Sequence, residues 1–159
     1  MRIALEGVDG TGKTTISEKL ANKLGCNIVR LTNGGDRSYE AYQDLMSCEN
    51  VVHDRTFISE IVYPKYFGRD SRLKYTFIPA LYMMMNRFNI KTFILTASNE
   101  TILERIRARG DEFISDESLF AKINNDYLRI AREMKFTVID TTNKTIDEIV
   151  EEIGGYVHE

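Results

Sequence analysis

The sequence predicts an α/β fold on a parallel sheet, and three observations carry that prediction. Five short apolar runs alternate with helical hydrophobic patterns along 159 residues, the order expected when strands are joined by crossover helices. A glycine-rich segment, GVDGTGKTT at residues 7–15, falls between the first run (Ile3-Ala4-Leu5) and the first helical pattern. It fits G-x-x-x-x-G-K-[ST], with Gly7, Gly12, Lys13 and Thr14 in the fixed places. The third observation is size. A chain of this length is expected to form one domain, residues 1–159, with a real core and little room for an accessory unit.

Strands are expected at 2–5, 27–31, 50–53, 92–96 and 135–140. Behind the glycine loop, Ile16, Leu20 and Leu24 recur every four residues, and Gly25 follows as the expected C-terminal cap. Phe57, Ile58, Ile61 and Val62 form a second stripe that must end before Pro64. A third stripe, from Phe77 to Phe88, accommodates Pro79 only in its first turn. Ile102, Leu103 and Ile106 define the buried side of a further helix. The clearest amphipathic pattern runs through Phe120, Ile123, Tyr127, Ile130 and Met134, opened by Ser115. The last helix begins at a capping box, Thr145-x-x-Glu148, with Ile146, Ile149, Val150 and Ile153 on one face. Gly34, Gly35 and Gly68 mark loops expected at the site end of the sheet.

Composition narrows the function classes. With 24 acidic and 21 basic residues the formal charge is −3, which offers no nucleic-acid wrap. No apolar run approaches the length of a membrane span, and no signal peptide is read. Cys26 and Cys48 have no metal-ligand spacing and suit a reducing compartment, and His53 and His158 cannot build a metal cluster with them. A cytoplasmic location, without nucleic-acid or membrane partners, is the expectation.

Three constellations carry chemistry. In the glycine loop, Gly7, Gly10 and Gly12 let backbone N–H groups turn inward as an anion nest at the positive end of a helix, with Thr11 and Thr15 alongside. Lys13 would reach the β- and γ-phosphates and the Thr14 hydroxyl would take one position on Mg²⁺, so the chain is expected to bind a nucleoside triphosphate. The second constellation is His53-Asp54-Arg55 at the end of the third strand, where open parallel sheets gather ligands. A carboxylate there can hold Mg²⁺ waters and an arginine can grip a phosphate; a simple salt bridge between the two is the plainer alternative. Neighbours in extended chain point to opposite sides, so Asp54 and Arg55 should serve different partners. Third, the segment 105–112, RIRARGDE, turns Arg109 and Arg105 toward the buried side of its helix and Arg107 away. Such arginines either form a solvated basic face or neutralise charge on a transferring phosphoryl group. Phe57, Tyr63, Tyr66 and Phe67 are candidate base-stacking rings, each also readable as core or rim.

With these pieces placed, the chain resembles the thymidylate kinases and their relatives the deoxynucleoside kinases. The matching residues are EGVDGTGKTT (6–15), DRTFISEIVY (54–63) against D-R-Y-x-x-S-x-x-A-Y, and LERIRARGDE (103–112) as a lid. The resemblance implies a five-stranded parallel sheet of the P-loop NTPase type, order 2-3-1-4-5, with helices on both faces and a short lid. It implies ATP and Mg²⁺ as cofactors and a deoxynucleoside monophosphate as acceptor, dTMP first. Asp9 would then face the acceptor 3′-OH, Arg55 would hold its α-phosphate and Asp54 would lie near Mg²⁺. Residues 140–143, with Thr142, would contact adenine. A homodimer stays open.

The chain departs from the family after the second strand, where the usual T-R-E-P-G-G-T is replaced by LTNGGDR at 31–37. Arg37 is left as the candidate phosphate contact there. A deoxynucleoside kinase needs a general base for the 5′-OH, and no glutamate follows closely, although Asp36 offers a substitute. An already ionised monophosphate needs none, which favours that acceptor. Two other readings are a guanine-nucleotide switch, for which 143–146 lacks the aspartate of N-K-x-D, and a nucleotide-binding module without turnover.

Overall fold

The five apolar runs form one parallel sheet in the computed structural model, which describes residues 1–31, 35–110 and 116–158. β1 (Arg2–Glu6), β2 (Asn27–Arg30), β3 (Val51–Asp54), β4 (Lys91–Thr96) and β5 (Thr137–Asp140) stand in the order β2-β3-β1-β4-β5. β1 lies between β3 and β4, so the chain order reverses at its carboxyl end, which is where such sheets open a crevice for ligands.

Side-chain alternation sorts the core into two layers. Ile3, Leu5, Val52 and Phe93 face α1 (Lys13–Leu24) and α7 (Ile146–His158). Ala4 and Ile94 face the opposite layer, built from α2 (Tyr39–Ser47), α3 (Ile58–Val62), α4 (Ile78–Arg87), α5 (Asn99–Arg109) and α6 (Ser118–Met134). The element ends follow their local chemistry. Gly25 closes α1 at φ 64, and Thr145 and Glu148 satisfy each other's backbone N–H groups at the start of α7. α3 stops at Val62, Pro64 falls in a 3₁₀ turn, and Pro79 occupies the first turn of α4.

Two differences from the expected elements have physical reasons. α2 was not among the helices read from the pattern, because only Tyr42 and Met46 are buried over its nine residues. Its signal lies in the cap: the Ser38 hydroxyl accepts from Ala41 N at 3.2 Å, and Asp36 in turn accepts from Ser38 N at 2.8 Å. β5 starts at Thr137 rather than 135, since Lys135 adopts φ 57 as it ends α6. The expected opening of α6 at Ser115 lies outside the described residues, as do Thr32, Asn33, Gly34, Asp111 and Glu112.

His53 is set in β3 in register with Ala4 and Val29, 2 % exposed, and its Nε2 has no hydrogen-bond partner among the described residues. Burial, helped by the charge of Arg2, holds its imidazole down to about 4. Between that value and the ordinary one near 6.5 the unfolded chain binds a proton that the folded chain refuses. Stability therefore rises with pH through this window and is lost as pH falls. Urea unfolding at pH 7 and pH 4.5 should show wild type losing about 2 kcal/mol more than His53→Val over that interval; equal losses would contradict the assignment.

Candidate active site

β1 enters α1 through a loop whose path only glycine allows. Gly7 has φ 140, and a Cβ there would sit 2.2 Å from the Leu95 carbonyl oxygen of β4. Gly12 caps α1 at φ 87 and Gly10 stands at φ 86, left-handed backbone of the kind that lets loop N–H groups form an anion nest at a helix N-terminus. The Thr11 hydroxyl donates to Val8 O at 2.8 Å, and Lys13 Nζ donates to the same carbonyl at 2.7 Å. Burial and then the Arg55 charge push the Lys13 ammonium down to about 7. Arriving phosphate oxygens would favour its charged form again. Thr15 is exposed in the first turn of α1.

A cavity of about 220 Å³ opens over this loop. Asp9, Gly10 and Gly12 supply one wall, and Lys13 and Thr14 of α1 the floor. Arg30 and Leu31 come from the end of β2, Asp54 and Arg55 from the end of β3, and Arg109 from the end of α5.

Asp54 is in register with Leu5 and so faces α1, where its Oδ2 accepts from Thr14 Oγ1 at 3.0 Å. Arg30 Nε lies 3.7 Å from the same oxygen. Arg55 turns elsewhere, as expected, but not through strand alternation: it has φ 76, a left-handed conformation uncommon outside glycine. Its Nη2 donates to Asp9 Oδ1 at 2.5 Å and to Tyr63 OH at 3.2 Å. Its Nη1 donates to Ser59 Oγ at 3.1 Å, Tyr127 OH at 3.4 Å and Gly7 O at 3.4 Å. The guanidinium carbon lies 4.9 Å from the Tyr63 ring centroid, within cation–π reach. Burial would raise the Asp9 carboxyl, but Arg55 and Lys13 outweigh it and hold the group below its usual range.

Beneath Arg55 is a residue to which the sequence reading assigned no role. Glu6, the last residue of β1, is fully buried, and its carboxylate accepts from Thr56 N, Thr56 Oγ1, Ser59 Oγ and Tyr127 OH. Burial raises its pKa, while Arg55 and these donors oppose the rise. The available signal was a glutamate closing the apolar run Ile3-Ala4-Leu5 of the central strand. Arg30 gave no comparable signal, since its approach to Asp54 depends on strand register.

The arginines of α5 separate. Arg109 lines the cavity. Arg105 donates to Gly10 O at 3.2 Å and to the Thr141 carbonyl at 2.8 Å, tying the glycine loop to the end of β5. Arg107 is exposed and paired with Glu117 at 2.9 Å. Thr142 follows Thr141, its hydroxyl accepting from Ser98 N and donating to Asp140. Arg37, the substitute phosphate contact, instead reaches the buried Glu60 carboxylate at 3.4 Å. Of the aromatic candidates, Phe57 is core, Tyr66 donates to Asp126, and Phe67 stacks on Tyr63 at 5.8 Å.

No helix among the described residues is long and apolar enough to cross a membrane. The parallel sheet with a glycine loop after its first strand, and charged residues gathered at the ends of β2 and β3, define a P-loop nucleotide kinase. The model of the family described as thymidylate kinase matches residues 33–153, and the chain belongs to that family. A probable thymidylate kinase of Methanocaldococcus jannaschii is 29 % identical, over 99 % of this chain and 95 % of that protein. A putative adenylate kinase of Thermococcus kodakarensis is 33 % identical, over 96 % and 83 %. Among solved structures, the YorR protein of Bacillus subtilis in complex with phosphorylated GDP aligns with a TM-score of 0.84 and 26 % identity, covering 99 % of this chain and 96 % of that one. The chain is an enzyme that transfers phosphoryl groups on nucleotides.

Two kinetic outcomes follow from these placements. Lys13→Ala should lower turnover by at least about 10²-fold while weakening nucleotide binding less, because charge on the phosphates grows toward the transition state. Among the arginines, Arg109→Ala should depress kcat well beyond its effect on either KM, and Arg107→Ala should change little. Steady-state kinetics ranking Arg107 as the worst loss would contradict this placement of α5.

Proposed function

We propose that the protein transfers the γ-phosphoryl group of ATP, taken as MgATP, to a deoxynucleoside monophosphate, with dTMP the first candidate. The observation that carries this reading is the joint placement of Arg55 and Asp9 in the cavity beside Lys13 and Thr14. A guanidinium is suited to an acceptor phosphate and a carboxylate to a sugar hydroxyl, so the pair matches the two polar ends of a nucleotide's sugar phosphate. The inward N–H groups of the glycine loop would cradle the ATP phosphates, with Lys13 on the transferring end. Arg109, entering from α5, would neutralise charge on that phosphoryl group, and Arg105 would brace the loop against the 140–142 segment, where Thr142 meets the donor base.

The Thr14 hydroxyl and Asp54 carboxylate converge on the cavity as hard oxygen donors, a set that fits Mg²⁺, which keeps several waters and takes phosphate oxygens for the rest. When bound, the ion would supply charge neutralisation on the phosphates. Catalysis otherwise rests on positioning and electrostatics.

A monophosphate acceptor is supported over a nucleoside by the state of the nearby carboxylates. Against the effect of burial, Arg55 and Lys13 hold the Asp9 carboxyl below its usual range, and the Ser38 hydrogen bonds do the same for Asp36, which makes both weaker bases for a 5′-OH. The relatives named for thymidylate and for adenylate keep the base open.

The test is a coupled ADP-release panel across deoxynucleosides, dTMP, dCMP, dAMP, dGMP and AMP. A monophosphate should exceed its parent nucleoside at least tenfold in kcat/KM, since a site with buried polar groups rejects a ligand that leaves them unpaired. Arg55→Ala should erase most of that preference. Efficient phosphorylation of nucleosides with the monophosphates inert would move the protein to the deoxynucleoside kinases.

A further inference from the structure

Arg55 has a supporting structure of its own. The residue sits in a left-handed turn, and the N–H of the next residue, Thr56, is held by Glu6 Oε1 at 2.5 Å, with Thr56 Oγ1 on the same oxygen at 2.8 Å. Glu6 Oε2 accepts from Ser59 Oγ at 3.0 Å and Tyr127 OH at 3.1 Å. These two hydroxyls are also the ones that accept from Arg55 Nη1. A hydroxyl has one proton. Ser59 Oγ and Tyr127 OH also lie 3.0 Å apart; committing both protons to Glu6 leaves the lone pairs of both oxygens to face the guanidinium.

We infer that Glu6 is the positioning residue that holds Arg55 in its phosphate-binding geometry, acting through Thr56, Ser59 and Tyr127. The inference rests on the proposed role of Arg55 toward the acceptor phosphate. Glu6 touches neither substrate in this arrangement. Its buried carboxylate pins the strained turn on one oxygen and polarises two acceptors for Arg55 on the other. The contact with Tyr127 also anchors α6, 121 residues away in sequence, to the end of β1. An amide in place of the carboxylate cannot reproduce this. Glutamine presents one acceptor oxygen and two N–H donors, so either the Thr56 N–H loses its partner or the two hydroxyls must turn their lone pairs away from Arg55.

The test measures binding of dTMP and, separately, of a non-hydrolysable ATP analogue by calorimetry. The proteins are wild type, Glu6→Gln, Arg55→Ala and the double variant, with thermal melts to establish folding. Glu6→Gln should weaken dTMP at least about tenfold, the scale of a hydrogen bond to a charged group, and leave the ATP analogue within about twofold. In the Arg55→Ala background the same change should cost dTMP binding less than about twofold, because the two residues act through one contact. If Glu6→Gln fails to fold, Tyr127→Phe and Ser59→Ala together carry the test with the same pattern. Unchanged dTMP affinity in a folded variant would overturn the inference. So would an equal loss of the ATP analogue, or a full penalty persisting without Arg55. If Arg55→Ala itself leaves dTMP binding intact, the assigned role of Arg55 fails first and this inference fails with it, a result distinct from the others.

Discussion

A carboxylate removed from water costs several kcal/mol, at least in order of magnitude, unless donors surround it, and Glu6 is surrounded on both oxygens. Those donors come from the turn after β3, from α3 and from α6. One buried group at the end of the central strand thus ties together the elements around Arg55 at the cavity. The same oxygens leave Ser59 and Tyr127 oriented toward Arg55, so a packing constraint becomes an electrostatic one. Local conformational strain at φ 76 persists where surrounding contacts over-determine it, and Arg55 is held by contacts to its own guanidinium and to the next backbone N–H.

Strand alternation divides the labour around this centre. Leu5 and Asp54 share the α1 side of the sheet, which brings Asp54 to Thr14. Glu6 falls on the other side with Ala4 and meets Tyr127. The glycine loop crosses between the two layers, and its close approach to Leu95 leaves no space for a side chain at position 7. The Thr14–Asp54 pair and the Arg55 guanidinium therefore lie on different sides of the sheet.

Much of this was legible in sequence. The glycine loop is a local pattern with a backbone mechanism, and its lysine and threonine are fixed by spacing, so Lys13 and Thr14 could be named before any coordinates. The strand order came through the family resemblance, while the strands themselves came from apolar runs. Helical angle alone separated Arg109 and Arg105 from Arg107; the structure puts Arg109 at the cavity, Arg105 on the Gly10 and Thr141 carbonyls, and Arg107 in an exposed pair with Glu117. What escaped was set by tertiary geometry. Arg30 meets Asp54 because β2 and β3 pair in one register, and Tyr127, read as core, has a hydroxyl that reaches β1. The separation of Asp54 from Arg55 was expected from an extended chain and arises instead from a left-handed turn, which no periodicity reports. Helix α2 went unread because too few of its residues are buried to make a stripe.

The central claim is that Arg55 leaves Asp9 for the acceptor phosphate while its support from Ser59 and Tyr127 stays in place. A crystal structure with an adenosine–thymidine oligophosphate bisubstrate analogue tests it most directly. The account predicts the Arg55 guanidinium within hydrogen-bond distance of the phosphate nearest the thymidine, still bonded to Ser59 and Tyr127, with Asp9 on the sugar hydroxyl. An Arg55 that remains paired with Asp9 while Arg30 or Arg37 holds that phosphate would contradict it.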